Sequence, residues 1–349
     1  MVLDVPYEDV LGRRDVVYID VRSQSEFAES TIPDALSVPL FDDEQRARIG
    51  TVYKQAGRER AMDLGLELAS ARLPALVSEV RALLCGRTPV VFCWRGGMRS
   101  RTVTTVLDLM GMPSLRLVGG YRAYRQYIVD EIARYDESDL PRCIVVHGMT
   151  GVGKTTLLHL LAARGQPVLD LEGLARHRGS VFGGIGLNPA NQRQFDSALF
   201  ARLRELKSAP HMYMEAESRR VGRATLPPCI LAAKEKGIHI ELCASMPTRV
   251  ARTLAQYRLA DEAALKSAAL HALSRIDWRF PPDLRLQVRA ALEEKDYETL
   301  VSALLNRYYD PRYAHASAAH ASLFMRIDAE DLTRACDDIL ACTAIGLAQ

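Results

Sequence analysis

Residues 143–147 form an apolar run, and Gly148-Met149-Thr150-Gly151-Val152-Gly153-Lys154-Thr155 follows at once. After it come Thr156 and leucines at helical spacing, Leu157, Leu158, Leu160 and Leu161. No other feature of the chain constrains the fold as much. The pattern G-x-x-x-x-G-K-[ST] between a strand and a helix is a phosphate-binding loop at the end of a strand in an α/β sheet. Its glycines let backbone N–H groups wrap a phosphate, Lys154 adds a point charge, and the Thr155 hydroxyl can ligate Mg²⁺ if that ion is bound. Gly148, Thr150, Gly151, Val152, Gly153, Lys154, Thr155 and Thr156 are therefore the predicted phosphate-binding set. The motif specifies a diphosphate and leaves open what carries it. An NTP-cleaving site also needs an acid at the end of a neighbouring strand, and Asp170 and Glu215 each end an apolar run.

A chain of 349 residues is long enough for two cores. In the first part, strand-like runs at 16–19, 33–39 and 89–92 alternate with helical spacing at 25–29, 64–84, 100–110 and 121–135. The polar stretch Asp136-Glu137-Ser138-Asp139 before Pro141 marks a boundary, giving expected domains of 1–137 and 138–349. The second part resumes with strands at 143–147, 167–171, 211–215 and 238–243 and a helix at 155–164, and reads as largely helical from Met246 onward. The fold class is α/β twice over: a parallel-sheet domain, then a P-loop α/β domain with a helical C-terminal part.

The second reactive-looking segment is Phe92-Cys93-Trp94-Arg95-Gly96-Gly97-Met98-Arg99-Ser100, between a buried strand and a helix. A loop there aims backbone N–H groups and the helix dipole at one spot. Arg95 and Arg99 add full charges, so a thiol at Cys93 is favoured as thiolate and a tetrahedral anion finds a cradle. A cysteine that merely fills a strand end needs neither paired glycines nor flanking arginines. Cys85, Cys143, Cys229, Cys243, Cys336 and Cys342 lack such surroundings and read as small core residues. Seven scattered cysteines without a C-x-x-C pair argue against a disulfide framework or a zinc site.

Two further segments follow strands and should face the phosphate crevice: Asp170 to Ser180, with Glu172 and Arg176, and Glu215 to Arg223, with Glu217, Arg219 and Arg220. The net charge of +2 excludes a uniformly basic nucleic-acid binder but not a local basic face. Arginines cluster at Arg95, Arg99 and Arg101, at Arg116, Arg122 and Arg125, at Arg219, Arg220 and Arg223, and at Arg249, Arg252 and Arg258. Any one cluster is most simply a solvated helix face. No apolar run approaches the ~18 residues of a membrane span, and Asp4, Glu8 and Asp9 near the start do not suit a secretory signal. A cytoplasmic location is expected, with no membrane and no obligate protein partner evident.

Asp20-Val21-Arg22, Glu26-Phe27, Ile32-Pro33-Asp34-Ala35, the Cys93 loop and Gly119-Gly120-Tyr121 together resemble a rhodanese domain over roughly Val5 to Tyr127. That resemblance implies sulfur- or selenium-group chemistry on Cys93, with Asp20 and Arg22 as scaffold. Arg99 sits six positions after Cys93, the spacing of cysteine phosphatases, but Phe92 stands where those enzymes usually have histidine. The longer loop reads as room for a phosphorylated chalcogen donor. With the phosphate loop, the two polar segments and Tyr308-Tyr309-Asp310-Pro311, the chain resembles the bacterial tRNA 2-selenouridine synthases. The resemblance implies S-geranylation of wobble 2-thiouridine by geranyl diphosphate, then selenium transfer from selenophosphate, with the tRNA anticodon loop as partner. An NTP-dependent kinase or NTPase fused to a sulfurtransferase is the alternative from another class.

Overall fold

β-Branched and apolar residues in short runs, each stopped by a turn or a helix cap, build two parallel sheets in a computed structural model that describes residues 3–257, 262–317 and 325–346. The chain divides into two compact units, Met1–Ile132 with Asp196–Phe200, and Ala133–Phe195 with Ala201–Gln349.

In the first unit the elements are β1 (Leu3–Val5), β2 (Val16–Asp20), α1 (Gln24–Glu29), β3 (Leu36–Ser37), α2 (Asp43–Leu84), β4 (Thr88–Phe92), α3 (Met98–Leu109), β5 (Leu115–Leu117) and α4 (Gly120–Arg134). The strands pair in parallel in the order β1-β5-β4-β2-β3, with Asp20 opposite Phe92. Both faces of the sheet are covered. Val17, Ile19, Val91, Val103 and Leu107 lie in one core cluster, and Val16, Val90, Phe92, Tyr121 and Ile128 in another. The helix expected at 64–84 begins much earlier, at Asp43, where Asp42 caps the Gln45 N–H; Gly57, at φ 84°, interrupts it. β1 was not expected. It is a three-residue edge strand whose Asp4 faces Arg116 in register.

The second unit comprises β6 (Arg142–His147), α5 (Lys154–Ala163), β7 (Val168–Leu169), α6 (Leu171–Ala175), α7 (Gln192–Leu206), β8 (His211–Glu215), β9 (Arg220–Val221), β10 (Ala224–Thr225), α8 (Pro228–Glu235), β11 (Ile238–Cys243), α9 (Met246–Gln256), α10 (Glu262–Ser274), α11 (Pro282–Glu293), α12 (Tyr297–Leu304), α13 (Asp310–Ser317), β12 (Met325–Asp328) and α14 (Leu332–Gly346). The parallel order is β12-β11-β6-β8-β7, so β6 is central and the order reverses beside it, where open α/β sheets bind ligands. The strand expected at 167–171 pairs only at Val168–Leu169, because the Asp170 carboxylate accepts the Gly173 N–H at 2.7 Å and starts α6. Among the described residues the tail beyond Met246 is helices and short turns except for β12, which pairs with β11. Its helices enclose their own core of Ile276, Phe280, Leu284, Leu292, Leu300 and Leu304. Cys143, Cys229 and Cys336 are buried as expected, but Cys85 and Cys243 are exposed, Cys85 on a left-handed residue that ends α2. Arg258 lies outside the described residues. Among those residues no helix is long and apolar enough to cross a membrane.

Candidate functional site

Cys93 lies at the carboxyl end of central strand β4, 3% exposed, and its loop is moulded by glycines on the segment leading into α4. The Tyr121 N–H donates to the Cys93 carbonyl at 2.9 Å and the Arg122 N–H to the Trp94 carbonyl at 3.0 Å. This approach leaves no room for a side chain: a Cβ on Gly120 would lie 2.1 Å from the Cys93 carbonyl oxygen. The Gly97 N–H points at the Cys93 Sγ at 3.3 Å, and the Ser100 Oγ is also 3.3 Å away. Gly97 caps α3, so the sulfur sits at a helix N-terminus.

The arginines differ in station. Arg95 is exposed. The Arg99 guanidinium is turned onto the Glu26 carboxylate at 2.6 Å. Burial opposes its charge, and Glu26, then Cys93 and Asp20, outweigh that and hold its pKa above the ordinary value. Glu26 in turn accepts the Ser23 N–H that opens α1. Arg116 donates to the Gly96 carbonyl at 3.4 Å while held by Asp4 at 2.6 Å, and the Asp4 hydrogen bond holds its pKa above the ordinary value. Glu26 and Arg116 therefore belong to this site, and sequence reasoning did not assign them. Asp20 and Arg22 form a buried pair at 2.6 Å, with Arg22 4.4 Å from the Tyr121 ring centroid and donating to the Ser30 carbonyl.

The phosphate loop runs from β6 into α5. Gly148, Gly151 and Gly153 all have positive φ, and a Cβ at Gly151 would meet the Thr253 hydroxyl at 2.5 Å. Val152 is buried, Thr150 half-buried and Thr156 exposed. The Lys154 Nζ donates to the Gly148 carbonyl at 2.8 Å. From α9, Arg249 donates to the Thr150 carbonyl at 2.9 Å and pairs with Asp310 at 2.6 Å, while Arg252 donates to the Val152 carbonyl at 2.7 Å. Arginines that read as a solvated face are thus braces of the loop.

The acids converge on Thr155. Its hydroxyl donates to Glu172 Oε2 at 2.8 Å, and the Glu172 N–H donates to Glu215 Oε1 at 2.6 Å. Glu217 and Glu172 both line the spot beside Gly179, where an added Cβ would meet them at 3.0 and 2.6 Å. Asp170 accepts from Gly173 and lies 3.0 Å from His159 Nε2. Burial, then the Glu217 charge, push the Glu172 carboxyl up to about 7 against Lys154 and Thr155. Burial likewise raises Glu215 and Glu217. Arg176, Arg219 and Arg220 are exposed and do not join this cluster.

Mg²⁺ takes oxygen donors, usually one or two carboxylates completed by substrate phosphates. Glu215 is 2% exposed, and its Oε2 has no hydrogen-bond partner among the described residues. With the Thr155 hydroxyl it fits an ion of that kind. No group of three His, Cys, Asp or Glu among the described residues forms a complete cage.

Next to the loop is a cavity of about 500 Å³ that no motif announced. Thr150 lies on its wall, with Ser180, Thr253, Tyr257, Tyr297 and Tyr309. The rest of the lining is apolar: Phe182, Ile185, Leu254, Leu265, Ala269, Leu300, Val301, Leu304 and Leu305. The π-helical turn Leu305–Tyr309 between α12 and α13 sets Leu305 and Tyr309 on that wall.

A family model described as the tRNA 2-selenouridine synthase AAA domain matches residues 141–340, and one described as a rhodanese-like domain matches 7–127. Proteins named tRNA 2-selenouridine synthase align with the chain over most of its length. The one from Marinobacter nauticus is 34% identical, covering 86% of this chain and 88% of that protein. One from Pseudomonas putida is 32% identical, covering 88% and 89%. The chain belongs to the tRNA 2-selenouridine synthase family. A Nitrosomonas europaea member is 37% identical over 61% of this chain, which spans 56% of that protein. The fold of the family is present in both halves: the rhodanese-like sheet carrying Cys93 and the P-loop sheet carrying Lys154.

Proposed function

We propose that the chain converts wobble 2-thiouridine of tRNA into 2-selenouridine, by S-geranylation with geranyl diphosphate followed by selenium transfer from selenophosphate. Family membership supports tRNA modification. The observation that carries the geranyl step is the apolar cavity with Thr150 of the phosphate loop on its wall. A ligand with a diphosphate head and a hydrocarbon tail satisfies both at once. The cavity, at about 500 Å³, lies within the range of about 300–1,000 Å³ usual for small-molecule pockets. A nucleotide base would set its polar edges against a wall dominated by Leu300, Val301, Leu304 and Leu305, with a few hydroxyls to meet them, whereas a hydrocarbon tail matches that wall throughout.

On this reading the thiocarbonyl sulfur attacks geranyl C1, the C1–O bond breaks, and the electron pair leaves on the diphosphate. The loop N–H groups and Lys154 bind the departing charge. The N3 proton of the base is released, leaving a neutral S-geranylated ring. Mg²⁺ held through Thr155 and Glu215 would supply further charge to the diphosphate. S-alkylation turns the sulfur into a thiolate leaving group. Selenophosphate in the Cys93 cradle then adds through its selenium to C2 as geranyl thiolate departs, and attack of water on phosphorus breaks the P–Se bond, releasing phosphate and leaving selenium on the base. A wobble base is single-stranded and can be turned out without opening a duplex.

Binding of geranyl diphosphate to the wild type and to Lys154→Ala tests the first step. The variant should lose affinity for geranyl diphosphate and for inorganic diphosphate alike. Tight ATP binding that geranyl diphosphate cannot displace would favour the kinase reading instead.

A further inference from the structure

Trp278 is 66% exposed on the turn Asp277–Arg279 between α10 and α11. Its polar edge is already engaged, because the indole N–H donates to the Arg275 carbonyl at 3.2 Å. The indole is tethered to its own turn by its N–H, and much of the ring lies in solvent. The Arg279 guanidinium stands 4.7 Å from the ring centroid. The nearby acid does not neutralise this turn's charge: Asp277 is taken by Arg289 at 2.5 Å. Arg275 and Arg279 are exposed and have no carboxylate partner among the described residues.

Ile185 shares a core cluster with Ile276 and Phe280, which flank this turn, and the segment leading to Ile185 carries His177. Arg178 follows it in the chain and donates to the Ile185 carbonyl at 2.8 Å. Arg223 follows Gly222, which packs so closely on the His177 ring that a Cβ there would lie 2.6 Å from its Cγ. Burial, then Arg178, Arg275 and Arg223, make His177 less basic than an ordinary histidine. His177 belongs to the segment that joins Glu172, at the phosphate loop, to Ser180, on the cavity wall. An exposed aromatic plane flanked by unpaired arginines is the arrangement that holds single-stranded nucleic acid. Every base has a π-face to stack, and the planar guanidinium fork matches phosphate.

We propose that Trp278, Arg275, Arg279 and Arg223 form a docking surface for a single-stranded RNA segment, with one base stacked on Trp278 and backbone phosphates on the arginines. The inference rests on the tRNA-modifying reading and adds where on the second unit the anticodon-loop RNA lies.

The test is titration of the full chain with an anticodon stem-loop RNA, followed by anisotropy of a labelled RNA over a range of salt. Trp278→Ala should weaken binding about 5- to 150-fold, the range for loss of one stacked base, while Trp278→Phe retains most of the affinity. Arg275→Ala and Arg223→Ala should each flatten the log–log salt slope by about 0.7 for a lost single-strand phosphate contact. Geranyl diphosphate binding by the same variants should stay within about twofold of wild type. RNA binding by Trp278→Ala equal to wild type, with unchanged salt slopes in both arginine variants, would overturn the surface and leave the tRNA reading standing. A wild-type chain that does not bind the stem-loop would overturn both. Binding of a polyglutamate peptide through Trp278 that RNA fails to displace would reassign the surface to an acidic protein segment.

Discussion

Gly120→Ala is the most informative single substitution around Cys93, because the geometry sets its cost. The added Cβ would stand 2.1 Å from the Cys93 carbonyl oxygen, 2.5 Å from the Gly96 nitrogen and 3.1 Å from the Arg95 nitrogen. All three are backbone atoms, so no rotamer change relieves the clash. Gly120 also has φ 60°, a region that costs a residue with a side chain about 1–2 kcal/mol. Overpacking a tight site adds about 1–3 kcal/mol. Together the loss comes to about 2–5 kcal/mol, or relaxation of the loop that frees that much. Either way the Tyr121 N–H to Cys93 carbonyl bond at 2.9 Å is disturbed, and with it the aim of the Gly97 N–H at the sulfur. Gly97→Ala is the control, since a Cβ there meets nothing within 4 Å. Denaturant unfolding of each variant, with the alkylation rate of the Cys93 thiol, is the assay. Gly120→Ala should lose stability in the first unit and change thiol reactivity, and Gly97→Ala should do neither to a comparable degree. Equal, small effects of the two would refute the argument that Gly120 moulds the loop.

Three further outcomes follow from the geometry. Cys93→Ala should abolish 2-selenouridine while S-geranylated thiouridine still accumulates, as read by mass spectrometry of tRNA nucleosides; loss of both in a folded variant would contradict the division of chemistry. Arg249→Met should destabilise the second unit by about 3–5 kcal/mol, because it strands Asp310, 19% exposed, and removes a brace from Thr150; a denaturation midpoint within error of wild type would contradict it. Glu172 has a folded-state pKa raised to about 7 by burial and Glu217, so its contribution to stability is present below about 4.5 and is lost as pH rises through about 7. Glu172→Gln should flatten the stability profile between those limits, and an unchanged slope would show that other groups govern it.

Much of this was legible because the motifs are local. The strands ending at Glu215 and Cys243 and the phosphate loop are set by runs of a few residues, and the structure has them where periodicity and glycine spacing indicate. What was hidden depends on residues distant in sequence. Arg249 looked like a solvated arginine because Asp310, which buries it, comes sixty-one positions later. Glu26 pairs with Arg99 across seventy-three positions. The cavity was invisible for the same reason: Leu254, Leu300 and Leu304 each read as ordinary helix core, and only the packing of α9 and α12 with the segment around Phe182 leaves space between them. β12 was missed because a four-residue edge strand in a helical tail carries too little pattern to compete. The two exposed cysteines failed a compositional habit that no local signal could correct.

The central claim is that the phosphate loop and the apolar cavity bind one molecule, a diphosphate with a hydrocarbon tail. Calorimetric titration of the full chain with geranyl diphosphate and, separately, with inorganic diphosphate tests it most directly. Burial contributes about 0.8 kcal/mol per CH₂, so even half of a ten-carbon tail in the cavity should make geranyl diphosphate bind on the order of 10²–10³-fold more tightly. Val301→Trp, which fills the cavity wall, should erase that difference and leave inorganic diphosphate binding unchanged. Equal affinity of the two ligands for the wild type, or a geranyl preference that survives Val301→Trp, would contradict the account.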